Sequence, residues 1–192
     1  MRVVGGRLRG RAIVAPVHAG TRPTSDRVRE SIFNILAHGT HGFAIEGANV
    51  LDLFAGTGAL GLEALSRGAK FCMFVDDDAD ARGIIRENVE AFGLTGVTKI
   101  FRRDATDLGA ASRHAGFTLI FADPPYGHGL GERALRSAAA GGWLAPGALA
   151  VVEERRGAIA GLPDGYTRID ARSWGDTEVV FARYGARDGS AA

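Results

Sequence analysis

Residues 51–61 read Leu51-Asp52-Leu53-Phe54-Ala55-Gly56-Thr57-Gly58-Ala59-Leu60-Gly61. An apolar run, Asn49–Phe54, stops at three glycines spaced G-x-G-x-x-G, and an apolar-periodic stretch, Ala59–Arg67, follows. A strand that turns tightly into a helix needs residues that tolerate positive φ, and glycine also leaves the main chain open to a ligand. The next apolar run, Phe71–Val75, ends on Asp76, 20 residues after Gly56, where a carboxylate can accept from ribose hydroxyls. A turn with no ligand has no use for an acid in that register, so the pair marks a nucleotide-type cofactor site.

Outward from the loop, strands and helices alternate. Strands are expected at Val97–Phe101, Phe117–Ala122 and Ala148–Glu153, and helices at Asp80–Phe92, Asp107–His114 and Leu130–Ala140. Apolar strands separated by helices imply a parallel sheet covered on both faces. Tyr166–Ala171 and Glu178–Tyr184, around Gly175-Asp176, read as an antiparallel pair. Upstream, residues 2–15 read as a hairpin broken at Gly5-Gly6, and 16–24 as a loop. Thr24 or Ser25 caps a helix carrying Val28, Ile32, Ile35 and Leu36, which Gly39 and Gly42 end. The division expected is a basic hairpin-and-helix extension over 1–40, a sheet domain over 41–184 and a disordered tail over 185–192.

Composition agrees with one globular domain. The chain has 192 residues, 46% hydrophobic and 23% charged, and no apolar run reaches the roughly 18–20 residues of a membrane span. The N-terminus has no apolar signal region. The single cysteine, Cys72, excludes a disulfide framework and a cysteine-based zinc site. His18, His38, His41, His114 and His128 lack metal-ligand spacing. A cytoplasmic, metal-free monomer is expected. The net charge is only +1, yet residues 1–30 hold seven arginines against Asp26 and Glu30. A basic arm on a near-neutral body suits a polyanion such as nucleic acid, although a solvated arginine face gives the same pattern. Arg7, Arg9 and Arg11 alternate along one expected strand, so they would share a face fit for phosphates.

The cofactor is either a dinucleotide or S-adenosylmethionine. A dinucleotide sets its pyrophosphate on the helix N-terminus, where Asp52 would repel it. S-adenosylmethionine carries a sulfonium and an ammonium, which the same carboxylate attracts. Asp52 therefore favours S-adenosylmethionine, unless it only braces the loop. Asp76, or Asp77 beside it, would hold the ribose, while the rest of Asp76-Asp77-Asp78 favours the following helix N-terminus. Asp104, after the third strand, can accept from the adenine amine or cap the following helix.

The fourth strand runs into Asp123-Pro124-Pro125-Tyr126. Ligands in open parallel sheets sit beyond the carboxyl ends of the strands, and two prolines stiffen this loop there. An exocyclic amine of a nucleobase is a poor nucleophile because its lone pair is delocalised into the ring. Acceptors on Asp123 and the Pro124 carbonyl could hold both N–H bonds and direct that lone pair at a methyl group, by positioning rather than covalent catalysis. Tyr126 can stack on the base, for which only its ring is needed. Glu153, at the end of the fifth strand, could line the mouth of the site and is given no role.

The order Asp52–Gly61, Asp76, Asp123–Tyr126 resembles the class I S-adenosylmethionine-dependent methyltransferases that modify amines. The segments Thr21-Arg22-Pro23-Thr24-Ser25-Asp26-Arg27-Val28-Arg29-Glu30-Ser31-Ile32-Phe33-Asn34-Ile35-Leu36 and Leu51–Ala69 narrow the resemblance to the RsmD family, the bacterial 16S rRNA guanine-N2 methyltransferases. It extends from Gly5-Gly6 to about Tyr184, and the first segment is its specific part. The resemblance implies a Rossmann-like seven-stranded sheet with an antiparallel last strand and a small-ribosomal-subunit substrate. It implies cofactor contacts from Arg22, Pro23 and Thr24, from Phe54, Ala55, Gly56, Thr57 and Gly58, from Asp76, and from Asp104 and Ala105. Catalysis is implied at Asp123, Pro124, Pro125 and Tyr126. The family often has Glu where Asp76 stands, which leaves Asp76 and Asp77 as alternatives. An adenine-N6 methyltransferase is the rival, because Asp-Pro-Pro-Tyr accepts any exocyclic amine.

Overall fold

A computed structural model describes residues 1–16, 26–38, 43–111, 115–159 and 161–185. Seven strands, β1 (Asn49–Leu53), β2 (Phe71–Val75), β3 (Thr98–Phe101), β4 (Phe117–Ala122), β5 (Leu144–Arg155), β6 (Tyr166–Trp174) and β7 (Thr177–Tyr184), form one sheet in the order β3-β2-β1-β4-β5-β7-β6. β1 to β5 are parallel, and β7 runs antiparallel between β5 and β6. The helices are α1 (Asp26–His38), α2 (Ala59–Ser66), α3 (Ala79–Ala91) and α4 (Leu130–Ala140). The sheet order reverses direction at β1 and β4, so the loops after these two strands open side by side.

Alternation along the strands builds two cores. Val50, Cys72, Phe74, Leu119, Phe121, Leu149, Val151 and Phe181 face the α1–α2–α3 side. Leu51, Leu53, Met73, Val75, Ile120, Ala150 and Val180 face α4 and Trp143. With both faces buried, these strands read as continuous apolar runs, which made them visible in the sequence. Phe33 of α1 is fully buried and packs 5.5 Å from the Phe121 ring; burying such a side chain contributes about 1.5–3 kcal/mol. The N-terminal extension shares this core, because Val3, Leu8 and Ile13 are buried in it beside Val28, Ile32 and Leu36.

Two expected elements differ. The hairpin over 2–15 reduces to a single antiparallel bridge, Arg2 with Ala12, and a 3-10 turn at Gly6–Leu8. The amides that would extend a ladder are used elsewhere: Val4 donates to the Glu63 carboxylate at 2.8 Å and Leu8 to Ser66 Oγ at 2.9 Å. Arg7 therefore lies in the turn and Arg9 just after it, and the three arginines do not share a strand face. The helix expected at Asp107–His114 is absent over 107–111, and 112–114 lie outside the described residues. There the Leu108 amide donates to Ser137 Oγ, the Ala111 amide to the Gly141 carbonyl, and the Gly109 carbonyl accepts from Trp143 Nε1. Tertiary partners have taken the groups a helix would use.

Candidate active site

The loop after β1 is a set of backbone demands met by glycine and carboxylates. Gly56 and Gly58 have φ of +56° and +79°, and Gly58 is the N-cap of α2. A Cβ on Gly56 would meet only the Phe54 carbonyl, at 3.9 Å, so the main chain there is open to a ligand. Gly61 serves packing: a Cβ would fall 2.4 Å from the Phe74 ring, 2.5 Å from Cys72 Sγ and 3.0 Å from Asp52 Oδ2. Phe54 is a non-glycine residue at φ +57°, a strain of about 1–3 kcal/mol that accumulates at ligand-binding turns. Its neighbour Ala55 donates its amide to the Val75 carbonyl and accepts from the Gly58 amide at 2.7 Å.

Asp52 is almost fully buried, and its Oδ2 accepts from the Gly61 amide at 2.9 Å. Burial pushes its carboxyl well above the ordinary range; the Gly61 bond opposes this, and the Asp123 and Asp76 charges add to it. The charges of Asp76 and Asp123, at the ends of β2 and β4, thus both act on Asp52 in β1. Three such groups at one sheet edge favour a cation between them.

Asp76 Oδ2 accepts from the Gly56 amide at 2.8 Å, and Oδ1 from the Asp78 amide at 3.0 Å. It is half-buried, and desolvation raises its pKa despite those bonds. Each carboxylate oxygen has a second lone pair, which ribose hydroxyls can use. Asp77 is exposed, and Asp78 caps α3 by accepting from the Asp80 and Ala81 amides. The geometry favours Asp76 over Asp77 as the ribose acceptor. Asp104 Oδ1 accepts from the Thr106 amide and hydroxyl, both at 2.7 Å, next to the buried Ala105.

Asp123-Pro124-Pro125-Tyr126 leaves the end of β4 beside the glycine loop. Asp123 is half-buried, Pro124 buried and Pro125 exposed. The Tyr126 hydroxyl donates to Glu153 Oε1 at 2.8 Å and lies 3.1 Å from Thr177 Oγ1. Burial first, then the Glu153 charge, pushes this phenol far up, so it stays protonated. The hydroxyl is thus held within the fold, which stacking of the ring alone does not require. The Gly127 amide donates to Glu154 Oε1 at 3.1 Å. Glu153 and Glu154 are 6% and 2% exposed; two acidic residues closing an apolar strand are the feature of the sequence that could have drawn attention to them.

Asn88 of α3 is a second residue that the sequence reading missed. Fully buried, it donates through Nδ2 to the carbonyls of Thr57 and Val14 and accepts the Val14 amide at Oδ1. It ties the glycine loop to the N-terminal arm. Glu63 makes a parallel tie, accepting from Val4 and from Arg67 Nε at 2.8 Å each, with Arg29 Nε at 3.7 Å. Arg7 and Arg9 are exposed. Arg11 lies over the Phe92 ring at 4.6 Å and donates to the Ala91 carbonyl. Arg22, Pro23 and Thr24 lie outside the described residues.

Parallel strands β1 to β5, a reversed β7 inserted before β6, and a glycine loop facing a proline-stiffened acid across the β1–β4 boundary define a class I S-adenosylmethionine-dependent methyltransferase fold. The chain belongs to the family described as "Conserved hypothetical protein 95", whose model matches residues 1–183, and it is a member of the RsmD group. Ribosomal RNA small subunit methyltransferase D of Escherichia coli K12 is 38% identical over 153 residues, 80% of this chain and 74% of that protein. YlbH of Bacillus subtilis is 45% identical over 128 residues, 66% of this chain and 67% of that protein. The solved structure of yhhF from Escherichia coli superposes with a TM-score of 0.82 at 32% identity, covering 97% of this chain and 99% of that one.

Proposed function

We propose that the chain methylates the exocyclic N2 amine of a guanine in 16S rRNA, using S-adenosylmethionine, in the small ribosomal subunit of the cytoplasm. The observation that carries it is the glycine loop after β1, its Gly56 amide bonded to Asp76 at the end of β2, lying beside Asp123-Pro124-Pro125-Tyr126 at the end of the neighbouring β4. A cationic donor is attracted there, and an acceptor for an amine stands next to it. Kinship with a protein named ribosomal RNA small subunit methyltransferase D supports the RNA substrate.

When bound, S-adenosylmethionine supplies an electrophilic methyl group on a sulfonium. Gly56 leaves room for it at the main chain, Asp76 would accept from its ribose, Asp52 would stabilise its positive charge, and Asp104-Ala105 would border the adenine. Arg22, Pro23 and Thr24 complete the cofactor set by family resemblance. Asp123 and the Pro124 carbonyl accept from the two N–H bonds of the guanine amine. Held so, the amine lone pair would face the methyl group that bound S-adenosylmethionine would supply, and Asp123 would accept the proton that the nitrogen sheds. Tyr126 covers the base face. Arg7 and Arg9 reach RNA phosphates, with Arg11 held closer to the body by Phe92.

The test is to incubate the protein and labelled cofactor with small-subunit particles lacking the modification and to map the product nucleoside by mass spectrometry. N2-methylguanosine at one site is expected. N6-methyladenosine, or no product on any particle, would overturn the assignment.

A further inference from the structure

We propose that Glu153, assisted by Thr177, is a positioning residue for methyl transfer that sets the Tyr126 ring against the target base through its phenol hydroxyl. The inference rests on Tyr126 being the base platform of the proposed reaction. Stacking needs only a ring, yet this ring is tied by its far end: the hydroxyl donates to Glu153 Oε1 at 2.8 Å and sits 3.1 Å from Thr177 Oγ1. The two anchors come from different strands, β5 and β7, and so define a position, not only a direction.

The next residue of β5 repeats the arrangement. Glu154 takes the Gly127 amide at 3.1 Å and also the Arg155 amide at 2.7 Å. Successive strand residues point to opposite faces, so the loop is held from both sides of the sheet. Two adjacent carboxylates buried at the end of an apolar strand cost free energy. A loop that needed only to be covered could be packed by apolar side chains. The cost is intelligible if the ring must keep one orientation, because a platform free to swing would misplace the amine relative to the methyl carbon. Misplacement by about 1 Å can cost on the order of a hundredfold in rate.

The test uses the full chain and the particles that test the proposed function. Glu153→Ala and Tyr126→Phe are each expected to lower kcat by about ten- to a hundredfold, with cofactor Kd within about twofold. The double variant should be no slower than the slower single one, since both break the same bond. Glu153→Gln keeps an acceptor in place and should recover most of the alanine loss. A readout without substrate is the 13Cζ resonance of Tyr126, which should move in Glu153→Ala. If Glu153→Ala does not fold, Tyr126→Phe and Glu153→Gln still carry the comparison. The proposal is overturned if Glu153→Ala slows the Tyr126→Phe enzyme by the same factor as the wild type, or if the Tyr126 resonance stays put. Failure of the wild type to methylate any particle would strike the substrate assignment instead, and the resonance would still report whether Glu153 holds Tyr126.

Discussion

The loop after β1 and the loop after β4 sit side by side at one sheet edge, yet they are held by different means. The first is fixed through its main chain, mostly over short range: the Gly61 amide to Asp52 across nine residues, the Gly56 amide to Asp76 across 20 and the Thr57 carbonyl to Asn88 across 31, with Gly61 leaving no room for a Cβ. The second is fixed by side chains from strands far along the chain, with Tyr126 reaching Glu153 and Thr177 across 27 and 51 residues. A loop that holds a cofactor common to many enzymes can be specified locally. A loop that, on the proposed function, orients one particular base draws on the rest of the sheet. Mutations should accordingly separate cofactor binding from amine activation.

The largest effect is expected at the second loop. Asp123→Ala should lower kcat by on the order of a hundred- to a thousandfold, the loss typical of removing a preorganised polar partner of the transition state. Single-turnover methyl transfer measures it, and near-wild-type turnover would remove Asp123 from the chemistry. In the helix that follows the first loop, Gly61→Ala forces a Cβ into Phe74 and Cys72. Overpacking of this kind costs about 1–3 kcal/mol, to be read by urea denaturation together with weaker cofactor binding.

A subtler contrast concerns pH. The pKa of Asp52 is raised on folding, chiefly by burial. The folded state therefore holds its proton to higher pH than the unfolded chain does, and stability falls as pH rises from about 4, the ordinary carboxylate value. Asp52→Asn should raise Tm at pH 7, lose that advantage as pH approaches 4, and weaken cofactor binding. A Tm unchanged across the range would mean that the carboxyl is not strained.

The smallest effect belongs to the arm. Replacing Arg7 and Arg9 with alanine should leave Tm and cofactor affinity nearly unchanged. The salt dependence of particle binding should become shallower, by up to about 0.7 for each phosphate that the arm no longer neutralises. Arg11→Ala should lower Tm instead, because its guanidinium is committed to Phe92 and Ala91. Equal salt slopes for all variants would detach the arm from RNA.

The strands were legible because burial on both faces writes an apolar run, and the glycine loop because its backbone admits few residues. Asn88 and Thr177 were not, and Glu153 was legible only as a residue near the mouth of the site, since each acts on a partner distant in sequence and none belongs to a short motif. The same reason hid the arm's conformation, whose amides go to Glu63 and Ser66, and the irregular path of 107–111, whose groups go to Ser137, Gly141 and Trp143. Local pattern revealed what local physics fixes.

The division between the two loops is tested most directly by calorimetric titration of S-adenosylmethionine into the wild type, Asp76→Ala and Asp123→Ala. Asp76→Ala should lose about 1.5–3 kcal/mol of binding free energy, the worth of hydrogen bonds to a charged group, while Asp123→Ala binds within a few-fold of the wild type. Equal losses in both variants, or a loss confined to Asp123→Ala, would contradict the account.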